Sequence, residues 1–195
     1  RPETEELVEE ALKLEFPRPA RVLDMGTGSG VIGITIALSL ADHCREAVLV
    51  DISSEALGLA HENSEIHSLT PVLLESDYFA QVRGTFDLIV ANLPYIADCD
   101  REDLSREVSH DPEQALFAGA DGLDAFRQVL PEAGAYLAPG GWLALEIGAG
   151  QGEQVTSLAE KSGLQSPRLA QDLSGNPRFV FAQGPSRAEN SPAPL

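Results

Sequence analysis

The residues best suited to chemistry form the segment Asn92-Leu93-Pro94-Tyr95. It follows an apolar run at 86–91 that predicts a buried parallel strand, and open α/β sheets bind ligands just beyond the carboxyl ends of their strands. Asn92 offers a side-chain amide oxygen and Leu93 a backbone carbonyl, so two acceptors could meet the N–H groups of a substrate. Pro94 stiffens the turn, and Tyr95 supplies a flat face. This set suits a planar nitrogen, such as a carboxamide or an aromatic amine, and predicts group transfer to that nitrogen.

Two of these side chains also have an ordinary structural role open to them. Asn92 could bond its own backbone in a turn before proline, and Tyr95 could belong to the core. The combination of Asn92, Pro94 and Tyr95 in one segment favours contact with a substrate.

A second candidate site is the glycine-rich loop after the predicted strand at 21–25. Its three alternating glycines permit positive φ and let a ligand approach the backbone. The next strand ends at Asp51, which is placed to accept both hydroxyls of a ribose unless it caps the following helix. Strand, loop, helix, strand and acid form the nucleoside-binding half of a doubly wound sheet. The candidate cofactor-binding residues here are Asp24, Gly26, Thr27, Gly28, Ser29, Gly30, Asp51 and Ile52, with Asn92 from the other segment.

The same loop also satisfies the dinucleotide pattern G-x-G-x-x-G, with Asp51 at about the expected ~20 residues further on. Asp24 separates the two ligands, because a carboxylate two residues before the first glycine would face a pyrophosphate unfavourably. A ligand that carries an ammonium and a sulfonium would be attracted to it. S-adenosylmethionine has both cations and no phosphate, and S-adenosylhomocysteine is its product. The sequence therefore favours the methyl donor over NAD, and the expected chemistry requires no metal.

Taken together, several segments resemble the peptide chain release factor glutamine N5-methyltransferases, the HemK/PrmC group. The resemblance extends from residue 1 to about residue 182. The segment from Glu107 to Asp124 is the most specific to this group, whereas the glycine loop and the Asn92 segment occur in many methyltransferases. The segments that carry the resemblance are Arg1-Pro2-Glu3-Thr4-Glu5, Asp24–Gly30, Asn92–Tyr95 and Glu107–Asp124.

The resemblance implies an S-adenosylmethionine-dependent enzyme that methylates the side-chain amide nitrogen of a glutamine in a peptide chain release factor. It also implies that Asp77 faces the adenine amine and Tyr78 lines the base, although Asp77 alone could be an ordinary turn residue. The residues at 3–5 would lie near the site. The catalytic residues implied are Asn92, Leu93, Pro94 and Tyr95.

Leu93 departs from the family pattern, in which proline is usual at this position. Because the position is expected to act through its carbonyl, the change should keep the acceptor, and Pro94 still favours an extended Leu93 backbone. Asn-Leu-Pro-Tyr is also the form seen in ribosomal RNA adenine dimethyltransferases. A nucleic-acid (rRNA or DNA) adenine N6-methyltransferase is therefore an alternative. A cofactor-binding interaction domain without catalysis is a third.

The charge of the chain bears on these alternatives. Lys and Arg number 13 against 31 Asp and Glu, which gives a formal net charge of −18. A protein that holds RNA needs cations to neutralise phosphates, and the sequence has no basic stripe. The composition argues against nucleic acid as the partner, and the release factor as partner is what the resemblance implies.

Apolar strands alternate with amphipathic helices along the chain, which predicts a doubly wound α/β fold with helices on both faces of a mostly parallel sheet. The turn at 174–177 predicts a final hairpin and an antiparallel last strand. This matches the seven-stranded, Rossmann-like class I methyltransferase sheet that the resemblance implies. The predicted strands are 21–25, 47–51, 72–76, 86–91, 141–147, 167–172 and 178–182, and the predicted helices are 4–14, 29–41, 53–64, 122–137 and 150–162.

The domain organisation predicted is one S-adenosylmethionine-dependent methyltransferase domain at 1–183 and a disordered tail at 184–195. The stretch 97–120 is expected to be a lid or substrate loop. In the family a small helical domain precedes the Arg-Pro-Glu-Thr-Glu segment, so the resemblance implies that this chain lacks it.

The expected environment is the cytoplasm, with the chain as a monomer. Cys44 and Cys99 suit reduced thiols, and the four histidines have no metal-ligand spacing. No apolar stretch approaches the ~20 residues needed to span a bilayer.

Overall fold

The structure, a computed structural model, describes residues 2–99 and 116–185. Within these residues the helices are α1 (Pro2–Leu12), α2 (Val31–Leu40), α3 (Ser54–Ile66), α4 (Asp124–Tyr136) and α5 (Gly152–Lys161), with a 3₁₀ turn at Ala41–His43. The strands are β1 (Ala20–Met25), β2 (Cys44–Asp51), β3 (Val72–Glu75), β4 (Phe86–Asn92), β5 (Leu137–Glu146), β6 (Gln165–Gln171) and β7 (Pro177–Gln183).

The seven strands form one sheet in the order β3-β2-β1-β4-β5-β7-β6. The five strands from β3 to β5 pair in parallel, and β7 is antiparallel to both of its neighbours. Chain order reverses between β1 and β4, so the carboxyl ends of these strands flank a topological switch point, where doubly wound sheets bind ligands. The predicted fold, including the antiparallel last strand, is confirmed.

Both faces of the sheet are covered, which explains the continuous apolar run of β4. Leu88 and Ile89 are adjacent on this strand and fully buried, but they belong to separate core clusters. Ile89 packs in the cluster with Phe126 of α4, and Leu88 in the cluster with Leu7 of α1. A strand buried on both faces needs apolar side chains at successive positions, as this one has.

The largest difference between the observed and the predicted strand bounds is at β5. β5 begins at Leu137, which pairs with Phe86 before a register shift between Phe86 and Leu88. The segment Ala138-Pro139-Gly140-Gly141 lacks a strand pattern, and tertiary pairing with β4 overrides its low strand propensity.

Several predictions concern residues outside the described ranges. Most of the predicted loop at 97–120, half of the Glu107–Asp124 segment and the tail beyond Pro185 are among them. The ends of the loop are described and held together: Ile96 pairs with Phe117, and the Asp98 amide donates to the Gly119 carbonyl at 2.9 Å. None of the described helices is long and apolar enough to cross a bilayer.

Candidate active site

The centre of the site is a hydrogen-bonded group at the carboxyl ends of β4 and β5. Asn92 ends β4 and lies in register with Glu146, which ends β5. Asn92 Nδ2 donates to Thr4 Oγ1 at 3.3 Å, and Thr4 Oγ1 donates to Glu146 Oε2 at 2.9 Å. Thr4 is on the first turn of α1, so the amino-terminal helix begins beside Asn92. Of the residues 3–5 that the resemblance placed near the site, Thr4 contacts Asn92.

Tyr95 joins the same group from the loop after β4. Its hydroxyl donates to Glu146 Oε1 at 3.3 Å, while its ring is partly buried against the core. Glu146 is 1% exposed, so its carboxylate is a buried acceptor for hydroxyl groups from two different elements. The ring of Tyr95 is therefore held at both its apolar face and its polar end.

Leu93 couples the Asn92 segment to the glycine loop. Its side chain is 2% exposed and belongs to the core, so it does more than present a carbonyl. A Cβ built on Gly26 would lie 3.3 Å from Leu93 Cδ2, and Gly26 has φ +68°. The two segments singled out in the sequence thus contact each other.

Gln151 fixes the backbone on the far side of Tyr95. Its Nε2 donates to the Tyr95 carbonyl at 2.9 Å and to the Gly122 carbonyl at 3.2 Å, and its Oε1 accepts from the Gly148 amide at 2.9 Å. A Cβ on Gly122 would overlap the Tyr95 carbonyl, so this close approach requires glycine. One buried amide therefore links three loops around the Asn92 segment.

Asp24 stabilises the glycine loop from inside. It is fully buried, and its Oδ2 accepts from Thr27 Oγ1 at 2.6 Å and from the Gly33 amide at 2.8 Å. Its Oδ1 has no hydrogen-bond partner among the described residues. Burial raises the pKa of Asp24 to about 6, while the bonds from Thr27 and Gly33 oppose that shift and the charge of Asp51 adds to it. The carboxyl group therefore favours a cationic neighbour.

Asp51 ends β2 and bonds to the loop on either side of it. Its Oδ2 accepts from the Gly28 amide at 2.8 Å and its Oδ1 from the Ser53 amide at 2.9 Å. Ser53 itself caps α3 by accepting from the Ala56 amide at 3.2 Å. Ile52 is 60% exposed on the same loop. Because each carboxylate oxygen has two lone pairs, Asp51 keeps acceptor capacity for a ligand hydroxyl.

The turn after β3 places Asp77 and Tyr78 next to the same sheet edge. Asp77 is exposed, and Tyr78 is half-buried against the core with φ +45°, an uncommon conformation for this residue type. Ser76 holds the turn by donating to the Tyr78 carbonyl and accepting from the Gln81 amide, both at 2.9 Å. Burial, with added repulsion from Asp77 and Asp124, raises the pKa of the Tyr78 hydroxyl.

Comparison with known proteins gives a consistent picture. The family model for the methyltransferase small domain matches residues 4–163. A release factor glutamine methyltransferase of Xylella fastidiosa is 40% identical over 188 residues, covering 95% of this chain and 68% of that protein. The chain belongs to the release factor glutamine methyltransferase family. A Geobacter sulfurreducens member is 42% identical over 182 residues, covering 92% of this chain.

The chain spans 63% of the length of the Geobacter family member. Among solved structures, the ribosomal protein L11 methylase of Lactobacillus delbrueckii subsp. bulgaricus superposes with a TM-score of 0.67 at 20% identity. That alignment covers 93% of this chain and 77% of the methylase, and at this identity it shows a shared class I methyltransferase fold.

In this release factor glutamine methyltransferase family member, the predicted residues fall into two adjoining groups. Asn92 through Tyr95 lie at the end of β4, and the loop residues from Asp24 to Gly30 lie at the end of β1. The switch point between these strands joins the groups, with Asp51 beyond it at the end of β2. Within the described residues, no three His, Cys, Asp or Glu side chains could together hold a metal ion.

Sequence reasoning missed Glu146 and Gln151. A signal for Glu146 was present, because a carboxylate interrupts the apolar run at 141–147. Its partners depend on the register of Asn92 against Glu146, which a single sequence does not reveal. Gln151 lies at the start of α5 and had no distinguishing pattern.

The local structure fits the proposed methyl donor better than a dinucleotide. Two carboxyl groups, Asp24 and Asp51, face the glycine loop, and one oxygen of Asp24 is unpaired among the described residues. The Cβ side of Gly28 is open, with no heavy atom within 4 Å. These are favourable surroundings for a ligand with a cationic end and ribose hydroxyls, and unfavourable ones for a pyrophosphate.

Proposed function

We propose that this chain transfers a methyl group from S-adenosylmethionine to the side-chain amide nitrogen of a glutamine in a peptide chain release factor. The observation that supports it best is the orientation of Asn92. Its Nδ2 is bonded to Thr4, and its Oδ1 accepts no hydrogen bond from the described residues. An unpaired amide oxygen at the end of β4 is the acceptor that a substrate N–H requires. Family membership supplies the substrate class.

The donor would be held by the loops at the ends of β1 and β2, with a contribution from the turn after β3. Asp51 would accept from the ribose hydroxyls, Asp24 would favour the cationic end, and the open side of Gly28 would admit the ligand to the backbone. Tyr78 would line the base, and Asp77 would face its amine. The remaining proposed contacts are Gly26, Thr27, Ser29, Gly30, Ile52 and Asn92.

An amide nitrogen is a poor nucleophile because its lone pair is delocalised into the carbonyl. When bound, S-adenosylmethionine supplies an electrophilic methyl group on a sulfonium. Asn92 Oδ1 and the Leu93 carbonyl would accept hydrogen bonds from the two N–H groups of the substrate amide. These bonds favour a more tetrahedral nitrogen and stabilise the positive charge that develops on it.

The remaining task of the protein is orientation. Pro94 and the ring of Tyr95 would hold the amide plane so that its nitrogen lies in line with the bond to be broken. The proton can leave to solvent after transfer, when the nitrogen is far more acidic. The mechanism therefore relies on placed dipoles and needs no strong general base.

Methylation of adenine in a nucleic acid is the main alternative, since the exocyclic amine of adenine is also a planar nitrogen. The formal charge of −18 opposes a nucleic-acid partner. The charge thus supports a protein substrate, and we further propose that the enzyme acts as a monomer in the cytoplasm.

The direct test is incubation of the chain with labelled methyl donor and either a release factor or ribosomal RNA. Label should enter the release factor, and Asn92→Ala should reduce turnover by ~100-fold or more, as expected for loss of one preorganised dipole. Leu93→Pro keeps the carbonyl and should change turnover by less than ~tenfold. Label in RNA, or normal turnover by Asn92→Ala, would overturn the proposal.

A further inference from the structure

We propose that Glu146 is the positioning residue of this site. It orients the Asn92 amide indirectly, through Thr4, and it orients the ring of Tyr95 by a direct hydrogen bond. This inference rests on the proposed function, because it concerns how the acceptor for the substrate amide is oriented. Glu146 itself need not touch substrate. It defines which groups around it donate and which accept.

The hydrogen bonds around Glu146 fix which group donates and which accepts at each contact. The hydroxyl groups of Thr4 and Tyr95 both donate to the carboxyl oxygens of Glu146, at 2.9 Å and 3.3 Å. With its one proton used in this way, Thr4 Oγ1 can only accept from Asn92. The part of the Asn92 amide that lies next to Thr4 Oγ1 must then be its NH₂ group.

The consequence concerns the other half of the Asn92 amide. An asparagine amide has one donor side and one acceptor side, and the two are nearly equal in shape. Without a fixed neighbour the group could turn by half a rotation and present NH₂ to the substrate N–H, which is repulsive. Because Nδ2 is bonded to Thr4, Oδ1 faces away from α1 and is the side left for substrate.

The placement of Glu146 supports a positioning role over a packing role. It is 1% exposed at the end of a strand whose preceding residues, Leu143 to Leu145, are fully buried and apolar. An apolar side chain would be the ordinary solution here, since a buried carboxylate costs free energy unless it is hydrogen-bonded. Its two oxygens bond to groups from α1 and from the loop after β4, so it joins the two elements that flank Asn92.

The first test compares isosteric variants by steady-state kinetics with a release factor. Thr4→Val removes the hydroxyl at constant shape, and Glu146→Gln replaces one accepting carboxyl oxygen with a donating NH₂ group. Each should lower kcat by about tenfold or more, with KM for the release factor and Kd for S-adenosylmethionine changed by less than about threefold. Thr4→Ser keeps the hydroxyl and should restore kcat to within about threefold of the wild type.

A control and a double variant sharpen this comparison. Thr156 lies on α5, and its hydroxyl has no hydrogen-bond partner among the described residues, so Thr156→Val should leave kcat unchanged. Thr4 and Glu146 act in one relay, so the double variant should be no slower than about the slower single variant. Thermal unfolding of each variant checks that the fold is intact.

The second test reports on orientation without any substrate. In the ¹⁵N-labelled chain, the side-chain amide of Asn92 is assigned by its disappearance in Asn92→Ala. Hydrogen exchange of this amide should be slowed in the wild type and in Thr4→Ser, and faster in Thr4→Val and Glu146→Gln. Because no methyl acceptor is present, this result stands even if the release factor is not methylated.

The outcomes separate the two proposals. Failure of the wild-type chain to methylate a release factor would overturn the proposed function, while the exchange measurement would still decide the relay. Equal exchange in all variants, normal kcat in Thr4→Val and Glu146→Gln, or a Thr4→Ser variant as slow as Thr4→Val would each overturn the role of Glu146.

Discussion

Asp24 combines a fully buried carboxyl group with one oxygen that has no partner among the described residues. Its pKa is raised from 3.8 to about 6, chiefly by burial. The folded protein therefore holds a proton between about pH 4 and pH 6 that the unfolded chain releases. The free energy of unfolding contributed by this group falls as pH rises through that window.

A cationic ligand beside Asp24 reverses the preference of this group for its neutral form. We expect the affinity for S-adenosylmethionine to rise by about tenfold between about pH 5 and pH 7, as Asp24 ionises. Calorimetric titration across this range is the measurement. Asp24→Asn preserves size and should flatten the dependence, so a variant with the same slope would remove Asp24 as its source.

Asp51 bonds the backbone of the glycine loop and is proposed to bind ribose, and substitution can separate these two roles. If it binds ribose through two charge-assisted bonds, Asp51→Ala should weaken S-adenosylmethionine binding by ~2–4 kcal/mol. Asp51→Asn keeps an acceptor for the Gly28 or the Ser53 amide and should lose less than Asp51→Ala. Unchanged affinity in a folded Asp51→Ala variant, measured by calorimetry, would exclude Asp51 from the binding site.

Among the elements, the loops at the carboxyl ends of β4 and β5 depend on Gln151. Its side chain bonds the backbones of Tyr95, Gly122 and Gly148, so Gln151→Ala removes three hydrogen bonds, one from a backbone amide and two to backbone carbonyls. We expect a loss of ~1–3 kcal/mol in the free energy of unfolding. We also expect kcat to fall by at least about fivefold, because the Asn92 segment is displaced.

The matched control for this change is Gln154→Ala, an exposed position on the same helix. It removes the same side chain without removing a bond that holds the loops. Chemical denaturation and steady-state methyl transfer should leave this variant close to the wild type. Equal effects of the two substitutions would assign the loss to α5 as a whole and not to the Gln151 bonds.

The elements themselves could be predicted from the sequence because their signals are local. Alternating apolar strands and amphipathic helices predicted all seven strands, and the turn at 174–177 predicted the antiparallel final pair. The start of β5 was wrong by four residues, since Leu137 joins the sheet through pairing with Phe86 and not through its own propensity. Local patterns do not report such pairing.

The site divides in the same way. Asn92, the glycine loop and Asp51 were visible because their residue types follow apolar runs. Glu146 and Gln151 were missed because their roles arise from contacts between segments distant in sequence, 142 residues for Thr4 with Glu146 and 56 for Gln151 with Tyr95. Leu93 was predicted only as a backbone carbonyl acceptor, and the burial of its side chain beside Gly26 depends on packing between two loops.

For the molecule as a whole, family membership and charge support the proposed protein partner. The sheet is that of a class I methyltransferase, and the relatives are release factor glutamine methyltransferases. The formal charge of −18 disfavours a polyanion and is compatible with a basic protein surface. The central claim is therefore that the methyl group reaches a glutamine side chain of a protein.

The most direct measurement is mass spectrometry of a release factor after incubation with this chain and S-adenosylmethionine, with Asn92→Ala as the parallel reaction. We predict one added methyl group, located by fragmentation on the side-chain nitrogen of a single glutamine, and no comparable product with Asn92→Ala. An unmodified release factor, a methyl group on another residue, or equal modification by the Asn92→Ala variant would contradict this account.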